Sequence, residues 1–377
     1  RRVPSRVFFR RLENYYINMS KESKIKDFDP NSVASGEGNI FGLPFTTDEA
    51  EIVLIPVPWD VTVSYKDGSS KGPQAIYDAS AQVDLFDPLV KDSWKIGVAM
   101  EEISKEITKK NSVMRKKALQ YINNLEKEVS DDAPVMKKIR KEVNAGCTDL
   151  KYFVKKAVQK HLNKNKFVAL VGGDHSTPLG FMEALAEKHS SYGILQLDAH
   201  CDLRKAYEGF EYSHASIMYN ALKIPQVKKL VQVGIRDWCE EENDYILKSK
   251  GRVRTFFDHQ IKDQLYRSRS WAAICSDIIQ ELPKHVYISF DIDGLDPKLC
   301  PGTGTPVPGG MEFEQAVFLF EMLARSGKKI IGFDLNEVAP GNDGSSGTSW
   351  NGNVGARMLY KMCGFAAVSN GLAQWNK

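Results

Sequence analysis

Short apolar runs alternate with helix-type segments from residue 167 onward, and this alternation constrains the fold more than any other feature of the chain. Runs rich in Val, Ile, Leu and Phe have the length of buried strands at 167–171, 193–197, 230–233, 286–290 and 329–335. Segments with helical periodicity follow them at 179–188, 214–223, 240–247, 311–325 and 353–363. Because strands that alternate with helices form parallel sheets covered on both faces, we predict an α/β fold with three layers, α/β/α, around a central parallel sheet.

The first half of the chain is less regular. It predicts a strand at 51–58, a helix at 74–81 that begins after Pro73, a strand at 94–99 and long solvated helices in the Lys- and Glu-rich stretch 101–165. Residues 19–50 are polar and rich in Gly, Ser, Asp and Asn, which is typical of a loosely structured arm. We therefore predict an N-terminal extension over 1–50 and a single domain over 51–377.

The charge of the chain excludes some partners. The 377 residues carry a net charge of +3, but the first 18 hold five Arg and one Glu, so the remainder is close to neutral. A neutral body without a basic stripe argues against a nucleic-acid partner. No apolar run reaches the ~18 residues that span a membrane, so we expect no membrane partner either.

Cysteine usage and the N-terminal segment bear on the cellular compartment. Six Cys occur and none form C-x-x-C pairs, a pattern typical of reduced thiols, so we predict a cytoplasmic location. The first Met is Met19, and the preceding residues 1–18 are rich in Arg and poor in acidic side chains. We interpret 1–18 as a non-native or reading-frame extension in preference to a targeting remnant.

Polar groups follow four of the predicted strands at the point where each strand ends. These segments are Gly172-Gly173-Asp174-His175-Ser176, Asp198-Ala199-His200-Cys201-Asp202, Asp291-Ile292-Asp293 and Asn336-Glu337. The carboxyl ends of parallel strands meet at one edge of a sheet, where open α/β folds bind their ligands. Alternate residues of an extended chain point the same way, so Asp198, His200 and Asp202 can present three ligands on one side.

These side chains predict a metal centre with two ions. The expected ligands are His175, Asp198, His200, Asp202, Asp291 and Asp293. Oxygen and nitrogen donors without sulfur favour Mn²⁺ or a similar ion over structural zinc. Four packed carboxylates need more positive charge than one divalent ion supplies. Two neighbouring ions also lower the pKa of a water molecule between them, which makes that water a nucleophile.

Three neighbours of the ligands receive other roles. We expect Asp174 to orient a ligand from outside the metal centre. Asp296 precedes Pro297 and is expected to shape a turn. Cys201 alternates with the ligands and should point away from them into packing.

With these motifs in this order, the sequence resembles the ureohydrolase family, which includes arginase, agmatinase, formiminoglutamase and guanidine hydrolases. The motifs are Gly-Gly-Asp-His-Ser, Asp-Ala-His-x-Asp and Ser-Phe-Asp-x-Asp-x-x-Asp-Pro, and the resemblance covers about residues 50–365. It implies the arginase-like fold, two Mn²⁺ per subunit with Ni²⁺ as an alternative, and a trimeric or hexameric homo-oligomer. It also implies that water attacks the carbon of a small guanidino substrate and that urea is released.

The resemblance also implies individual roles. His175 and Asp202 would be terminal ligands of one ion, His200 and Asp293 of the other, and Asp198 and Asp291 the bridging pair. His214 falls where the family keeps a His for proton transfer, which a pKa near the working pH would suit. Glu337 matches the Glu that binds the guanidinium by two parallel hydrogen bonds. We therefore predict His214, Glu337 and Asp202 as catalytic residues, and Glu337, His214 and Trp238 as substrate-binding residues.

Two stretches favour agmatine as the substrate. Residues 202–214, with Asp-Leu-Arg, Tyr-Glu-Gly and Ser-His, and residues 299–310, with Pro-Gly-Thr-Gly-Thr-Pro, resemble agmatinases, which release urea and putrescine. The alternative is a guanidine hydrolase with Ni²⁺, because Trp59 and Trp238 could narrow the pocket around a small cation. Arginase, guanidinobutyrase and formiminoglutamase are less favoured, and retention of all the ligands argues against a non-catalytic scaffold.

Overall fold

The described part of the chain forms a parallel sheet of eight strands. The computed structural model describes residues 19–33, 38–341 and 349–377, so the segment 1–18 lies outside the described residues. The strands are β1 (Ile52–Pro56), β2 (Val90–Lys91), β3 (Val98–Met100), β4 (Phe167–Val171), β5 (Tyr192–Leu197), β6 (Val227–Ile235), β7 (Val253–Phe257), β8 (His285–Asp291), β9 (Lys329–Asn336) and β10 (Gln374–Trp375). The sheet has the order β3-β1-β4-β9-β8-β5-β6-β7, with parallel neighbours throughout. β10 and β2 form a separate antiparallel pair.

Helices cover both faces of the sheet. They are α1 (Lys21–Asp27), α2 (Gly72–Ser80), α3 (Lys105–Glu126), α4 (Pro134–Leu162), α5 (Leu179–Lys188), α6 (Ile217–Ala221), α7 (Glu240–Lys248), α8 (Asp258–Tyr266), α9 (Trp271–Gln280), α10 (Phe313–Arg325) and α11 (Trp350–Ser369). One hydrophobic core contains side chains of α2, α9, α10 and α11, and the other contains side chains of α3, α4, α5 and α6. The predicted three-layer α/β/α fold is therefore confirmed.

Successive side chains of a strand belong alternately to the two hydrophobic cores. Ile52 and Leu54 of β1 belong to one core, whereas Val53 and Ile55 belong to the other. This follows from the twofold periodicity of an extended chain. Because helices cover both faces of the sheet, the side chains that point to either face are buried. Consecutive residues of a strand are therefore apolar, which explains the continuous apolar runs in the sequence.

Several boundaries differ from the prediction. The strand predicted at 94–99 is wrong over its first part, because Ser93–Ile96 is a 3₁₀ turn and Gly97, with φ 79°, redirects the chain into β3. The helix predicted at 214–223 is shorter, since a 3₁₀ turn at His214–Ser216 precedes α6. The stretch 101–165 is helical as predicted, and it divides into α3 and α4 before Pro134.

The sequence reading missed β7, α8 and α9. β7 lies at the edge of the sheet, where Arg254 is exposed, so its apolar run is too broken to be recognised. The helices that follow it gain their place from the tertiary packing of Ile261, Ile274 and Ile278 in one core.

Part of the N-terminal arm is packed into the core, which corrects the expectation of a loosely structured segment. Its large buried apolar residues are Ile40, Phe41, Leu43 and Phe45, none more than 2% exposed. Asn39 Oδ1 accepts a hydrogen bond from Met100 N at 2.8 Å, which ties the arm to β3. These apolar residues are diluted by Gly, Ser and Asp in the sequence, so average composition hid them. The domain boundary at residue 50 stays a prediction.

Among the described residues, no helix combines the length and the apolar character needed to cross a membrane. The six Cys are free thiols.

Burial of the arm predicts that Phe45→Ala lowers the free energy of unfolding by about 3–5 kcal/mol, because a large apolar side chain leaves a packed core. Val33→Ala, in the same arm but 95% exposed, should change it by less than about 0.5 kcal/mol. Urea unfolding followed by circular dichroism measures both. Equal midpoints for Phe45→Ala and the unmodified chain would show that the arm contributes nothing to the folded body.

Candidate functional site

The order of the strands brings four carboxyl ends together. β4, β9, β8 and β5 are consecutive in the sheet, and each ends in one of the polar segments singled out in the sequence. Because neighbouring strands lie about 4.8 Å apart, side chains from all four ends reach one another. The centre of the sheet edge is therefore the site.

One group of candidate ligands gathers around His175. His175 Nδ1 lies 2.9 Å from Asp198 Oδ2, 3.0 Å from Asp202 Oδ2 and 3.4 Å from Asp291 Oδ2. His175, Asp198 and Asp291 each offer a ligand atom within 4.8 Å of the others, and all three are buried. This arrangement has the size of a coordination site for one ion.

A second group gathers around His200 and shares a member with the first. His200 Nδ1 lies 3.1 Å from Asp293 Oδ2 and 3.6 Å from Asp198 Oδ1. Asp198, His200 and Asp293 again offer ligand atoms within 4.8 Å. Asp198 thus belongs to both groups, one carboxylate oxygen towards each His, which is the placement of a bridging ligand. Asp291 is placed with the first group.

His175 is oriented by the strand beside it. Its Nε2 lies 2.9 Å from Ser289 Oγ, and Ser289 Oγ donates to Asp334 Oδ1 at 3.2 Å. With Nε2 occupied, Nδ1 faces the carboxylates, yet it makes no hydrogen bond of good geometry among the described residues. A buried nitrogen that points between three carboxylate oxygens fits a metal ligand. The hydrogen bond of the other ring nitrogen to Ser289 Oγ would fix the tautomer of that ligand.

Glycines allow the turn after β4 to approach the rest of the site. A Cβ on Gly172 would lie 1.7 Å from Asn336 Oδ1, and one on Gly173 would lie 1.9 Å from Trp59 O. Neither approach is possible for any other residue. The Gly-Gly pair therefore lets His175 enter the space between β4 and β9.

The cluster has too little positive charge for its acids. Burial raises the pKa of Asp202 to about 7, and the charge of Asp198 adds to the rise. Burial and repulsion from Asp293 and Asp198 hold the pKa of Asp291 well above its usual range. Although burial opposes ionisation, contacts with His175 and His200 hold the pKa of Asp198 well below its usual range. Cations would remove the repulsion that raises the other carboxyls, so the donor set fits divalent metal ions.

Two site residues have a left-handed backbone. Asp202 has φ 55° and Glu337 has φ 61°, a region that costs a side-chain residue about 1 kcal/mol or more. Glu337 N donates to Gly173 O at 2.7 Å, and Glu337 Oε1 accepts from His175 N at 3.1 Å. The turn after β9 thereby bends Glu337 towards the ligands.

His214 lies half-buried near the same site. The ring of Tyr207 packs edge-on against it with centroids 6.2 Å apart, and its Nδ1 lies 3.3 Å from Ser213 Oγ. Burial lowers the pKa of His214 to about 3, and positive charge at His200 and His175 adds to the effect. This is below the near-neutral value expected from the sequence, so the imidazole is neutral at pH 7.

The remaining singled-out residues lie around the cluster. Trp238 packs against Phe257 in a tilted arrangement with ring centroids 4.5 Å apart, and Trp59 is fully buried in a core. Asp296 Oδ1 accepts from Lys298 N at 3.0 Å, which is the predicted turn. Cys201 is fully buried in the core, as predicted.

Asp174 belongs to neither ligand group. Its Oδ1 accepts from Ser176 N at 3.0 Å, and its Oδ2 is buried without a partner in the described residues. Burial raises its pKa to about 7.

Arg236 is a structural member of the site that sequence reasoning missed. Its Nη2 donates to Asp293 O at 2.6 Å and to Leu295 O at 3.1 Å, and its Nε donates to Val307 O at 3.1 Å. Arg236 thus ties the loop after β8 to the segment near residue 307. A charged residue directly after a strand was the available signal.

Comparison with known proteins decides the family. A sequence model described as the Arginase family matches residues 50–364. The chain belongs to the arginase family. Its members hydrolyse guanidino C–N bonds, so this arginase-family protein is a ureohydrolase and its substrate is a small guanidino compound.

Relatives of this arginase-family chain span most of its length. N(1)-aminopropylagmatine ureohydrolase of Thermus thermophilus is 30% identical over 324 residues, which cover 86% of this chain and 93% of that protein. Agmatinase of Bacillus anthracis is 27% identical over 306 residues, which cover 80% and 88%. The crystal structure of agmatine ureohydrolase of Thermoplasma volcanium shares the fold, with a TM-score of 0.64 at 21% identity over 93% of this chain and 99% of that one.

Sharing of Asp198 between the two groups predicts different metal losses in two variants. Asp198→Ala should lose both ions, whereas Asp293→Ala should keep the ion held near His175. The metal content of protein loaded with Mn²⁺ and desalted, measured by mass spectrometry, checks this, with circular dichroism to show that each variant is folded. Two bound ions in folded Asp198→Ala would refute the shared role.

Proposed function

We propose that the chain hydrolyses agmatine to putrescine and urea with two bound Mn²⁺. The observation that carries this proposal is the buried carboxylate of Glu337, which has one oxygen without a hydrogen-bond partner among the described residues. One of its carboxylate oxygens, Oε1, is fixed by His175 N, while Oε2 is buried without a partner among the described residues. Burial and repulsion from Asp174 hold the pKa of Glu337 well above its usual range, so a cation beside it would be strongly stabilising.

Space for that cation is kept by the motif Pro-Gly-Thr-Gly-Thr-Pro. A Cβ on Gly304 would lie 3.2 Å from Glu337 Oε2 and 3.4 Å from Lys66 O. The missing side chain therefore leaves room at the free oxygen. A planar guanidinium could donate to this oxygen by a charge-assisted hydrogen bond, which would also orient it towards the carboxylate cluster.

The chain's own residues divide the work of the reaction. When bound, metal ions held by the two ligand groups would supply an activated water molecule and positive charge. Glu337 would fix the guanidinium in place. His214 is neutral, and because Nδ1 faces Ser213 Oγ, Nε2 is the nitrogen left to take up the proton released by the attacking water and to pass it on to the departing amine.

A second carboxylate supports a substrate with a distal amine. Glu208 lies in a tight turn closed by backbone hydrogen bonds between Tyr207 and Phe210 at 3.1 and 2.9 Å. Its Oε2 is buried without a partner in the described residues, and burial raises its pKa. Because Tyr207 packs on His214, the turn lies beside the site. The terminal ammonium of agmatine would give Glu208 the donor that it lacks.

N(1)-aminopropylagmatine is a second candidate, because the Thermus thermophilus relative is named for it and it shares the guanidinobutyl end of agmatine.

Guanidine is less favoured. It has no second charge for Glu208, and Trp59 and Trp238 pack against other residues of the protein. The proposal includes a homo-oligomer, trimeric or hexameric, and Trp238 as a pocket residue.

Urea release from a substrate panel tests the proposal. With Mn²⁺ or Ni²⁺ loaded separately, agmatine should give the highest kcat/KM, above N(1)-aminopropylagmatine, arginine, guanidinobutyrate, formiminoglutamate and guanidine. A preference for guanidine would overturn the agmatine assignment while leaving the ureohydrolase chemistry intact.

The two free carboxylates predict different substrate effects. Glu337→Gln should reduce kcat/KM for every guanidino substrate, since all share the guanidinium. Glu208→Gln should raise KM for agmatine about tenfold or more, the loss expected for a charged hydrogen bond of roughly 1.5–3 kcal/mol, and leave guanidine turnover unchanged. Steady-state kinetics measure both, with exposed Glu211→Gln in the same loop as the control. Equal KM values for Glu208→Gln and the unmodified enzyme would remove Glu208 from the pocket.

A further inference from the structure

Five buried polar side chains lie side by side across the sheet, and none of them is a candidate metal ligand. Strand register pairs Thr255 of β7 with Gln232 of β6, Gln232 with Gln196 of β5, Gln196 with Ser289 of β8, and Ser289 with Asp334 of β9. All five are at most 7% exposed. We name this set the polar row. Uncharged amides inside a sheet are costly unless hydrogen-bonded, so their partners matter.

Hydrogen bonds in one half of the polar row run in a single direction towards Asp198. Thr255 Oγ1 donates to Gln232 Oε1 at 2.8 Å, and Gln232 Nε2 donates to Gln196 Oε1 at 2.7 Å. Gln196 Nε2 then donates to Asp198 Oδ2 at 2.8 Å. Each amide oxygen accepts and each amide nitrogen donates, so neither amide can flip without breaking the chain.

The second protons of the two amides hold the backbone of the same loop. Gln196 Nε2 also donates to His200 O at 3.2 Å, and Gln232 Nε2 also donates to Cys201 O at 2.8 Å. The loop 198–202, which carries three candidate ligands, is therefore held at one side chain and two carbonyls.

We propose that Thr255, Gln232 and Gln196 are positioning residues that set the affinity of the site for its metal ions. They act by fixing the loop 198–202, and above all the shared carboxylate of Asp198, before an ion arrives. A carboxylate that is already oriented loses less conformational entropy when it binds an ion. Part of the entropic cost of ordering the ligand is therefore incurred during folding and not on metal binding.

Variants of Thr255 can distinguish an effect of the polar row on metal binding from a general loss of packing. Thr255 lies two strands from Asp198 in the sheet order, and among the described residues its hydrogen bonds lead to the ligand loop through the two amides. Replacing its hydroxyl by a methyl group leaves Gln232 Oε1 without its donor and frees the amide to rotate. An effect of this change on metal binding must therefore travel along the polar row.

The test measures Mn²⁺ binding to chelator-stripped protein, with a competing fluorescent chelator. Thr255→Val should weaken Mn²⁺ binding about tenfold and Gln232→Leu up to about a hundredfold, the range found when groups that orient metal ligands are removed. Thr255→Ser, which restores the hydroxyl, should recover the affinity. Because Mn²⁺ alone is the probe, the result is independent of the substrate proposed above.

Tyr192→Phe is the matched control. Tyr192 lies on β5 and is fully buried, and its hydroxyl donates to Met182 O at 2.7 Å, away from the ligand loop. Its loss should lower the thermal midpoint of the metal-free protein without changing Mn²⁺ affinity. Should Thr255→Val and Gln232→Leu behave in the same way, with lower midpoints and unchanged Mn²⁺ affinity, the polar row is only structural and the proposal is overturned. If Thr255→Val fails to fold, unchanged Mn²⁺ affinity of Gln232→Leu is by itself enough to overturn the proposal.

Discussion

Mutual repulsion of buried carboxylates is the constraint on which this structure depends. Asp198, Asp202, Asp291 and Asp293 gather around His175 and His200 and are at most 4% exposed, and Glu337 lies beside them. Burying such charges without partners costs several kcal/mol for each. Two His rings and the raised pKa values of several carboxyls relieve only part of this cost. Divalent cations would relieve the remainder, so an arrangement that is unfavourable for folding suits a metal site.

Strand ends, close backbone contacts and hydrogen bonds hold these side chains in position. Strand ends fix the Cα positions, the Gly172-Gly173 pair brings a turn into contact with the next strand, and Ser289 fixes the ring of His175. Asp202 and Glu337 keep left-handed backbones, so the surrounding structure overrides their local preference. Strain concentrated at ligand-bearing positions is typical of a site whose geometry is set before its ligands bind.

The long helical section contributes to the rim of the site. A Cβ on Gly209 would lie 2.6 Å from Tyr121 Oη of α3, and Asn144 of α4 accepts from Glu211 N at 3.0 Å. These contacts clamp the turn that carries Glu208. The helices α3 and α4 therefore support the loop between the ligands and His214, and the sequence had predicted no role for this section.

The sequence by itself determined the α/β alternation and the strand ends that carry His and Asp, because these depend on local periodicity and on spacings of two residues. The resemblance of its motifs to those of a known family indicated the family. Only the tertiary structure decided that Gln196, Gln232 and Thr255 join in one hydrogen-bonded chain and that Ile40 to Phe45 enter the core. The reason is that strand order and register pair residues far apart in the chain. Gln196 and Gln232 are polar interruptions in apolar runs, and what they contact depends on which strands are neighbours.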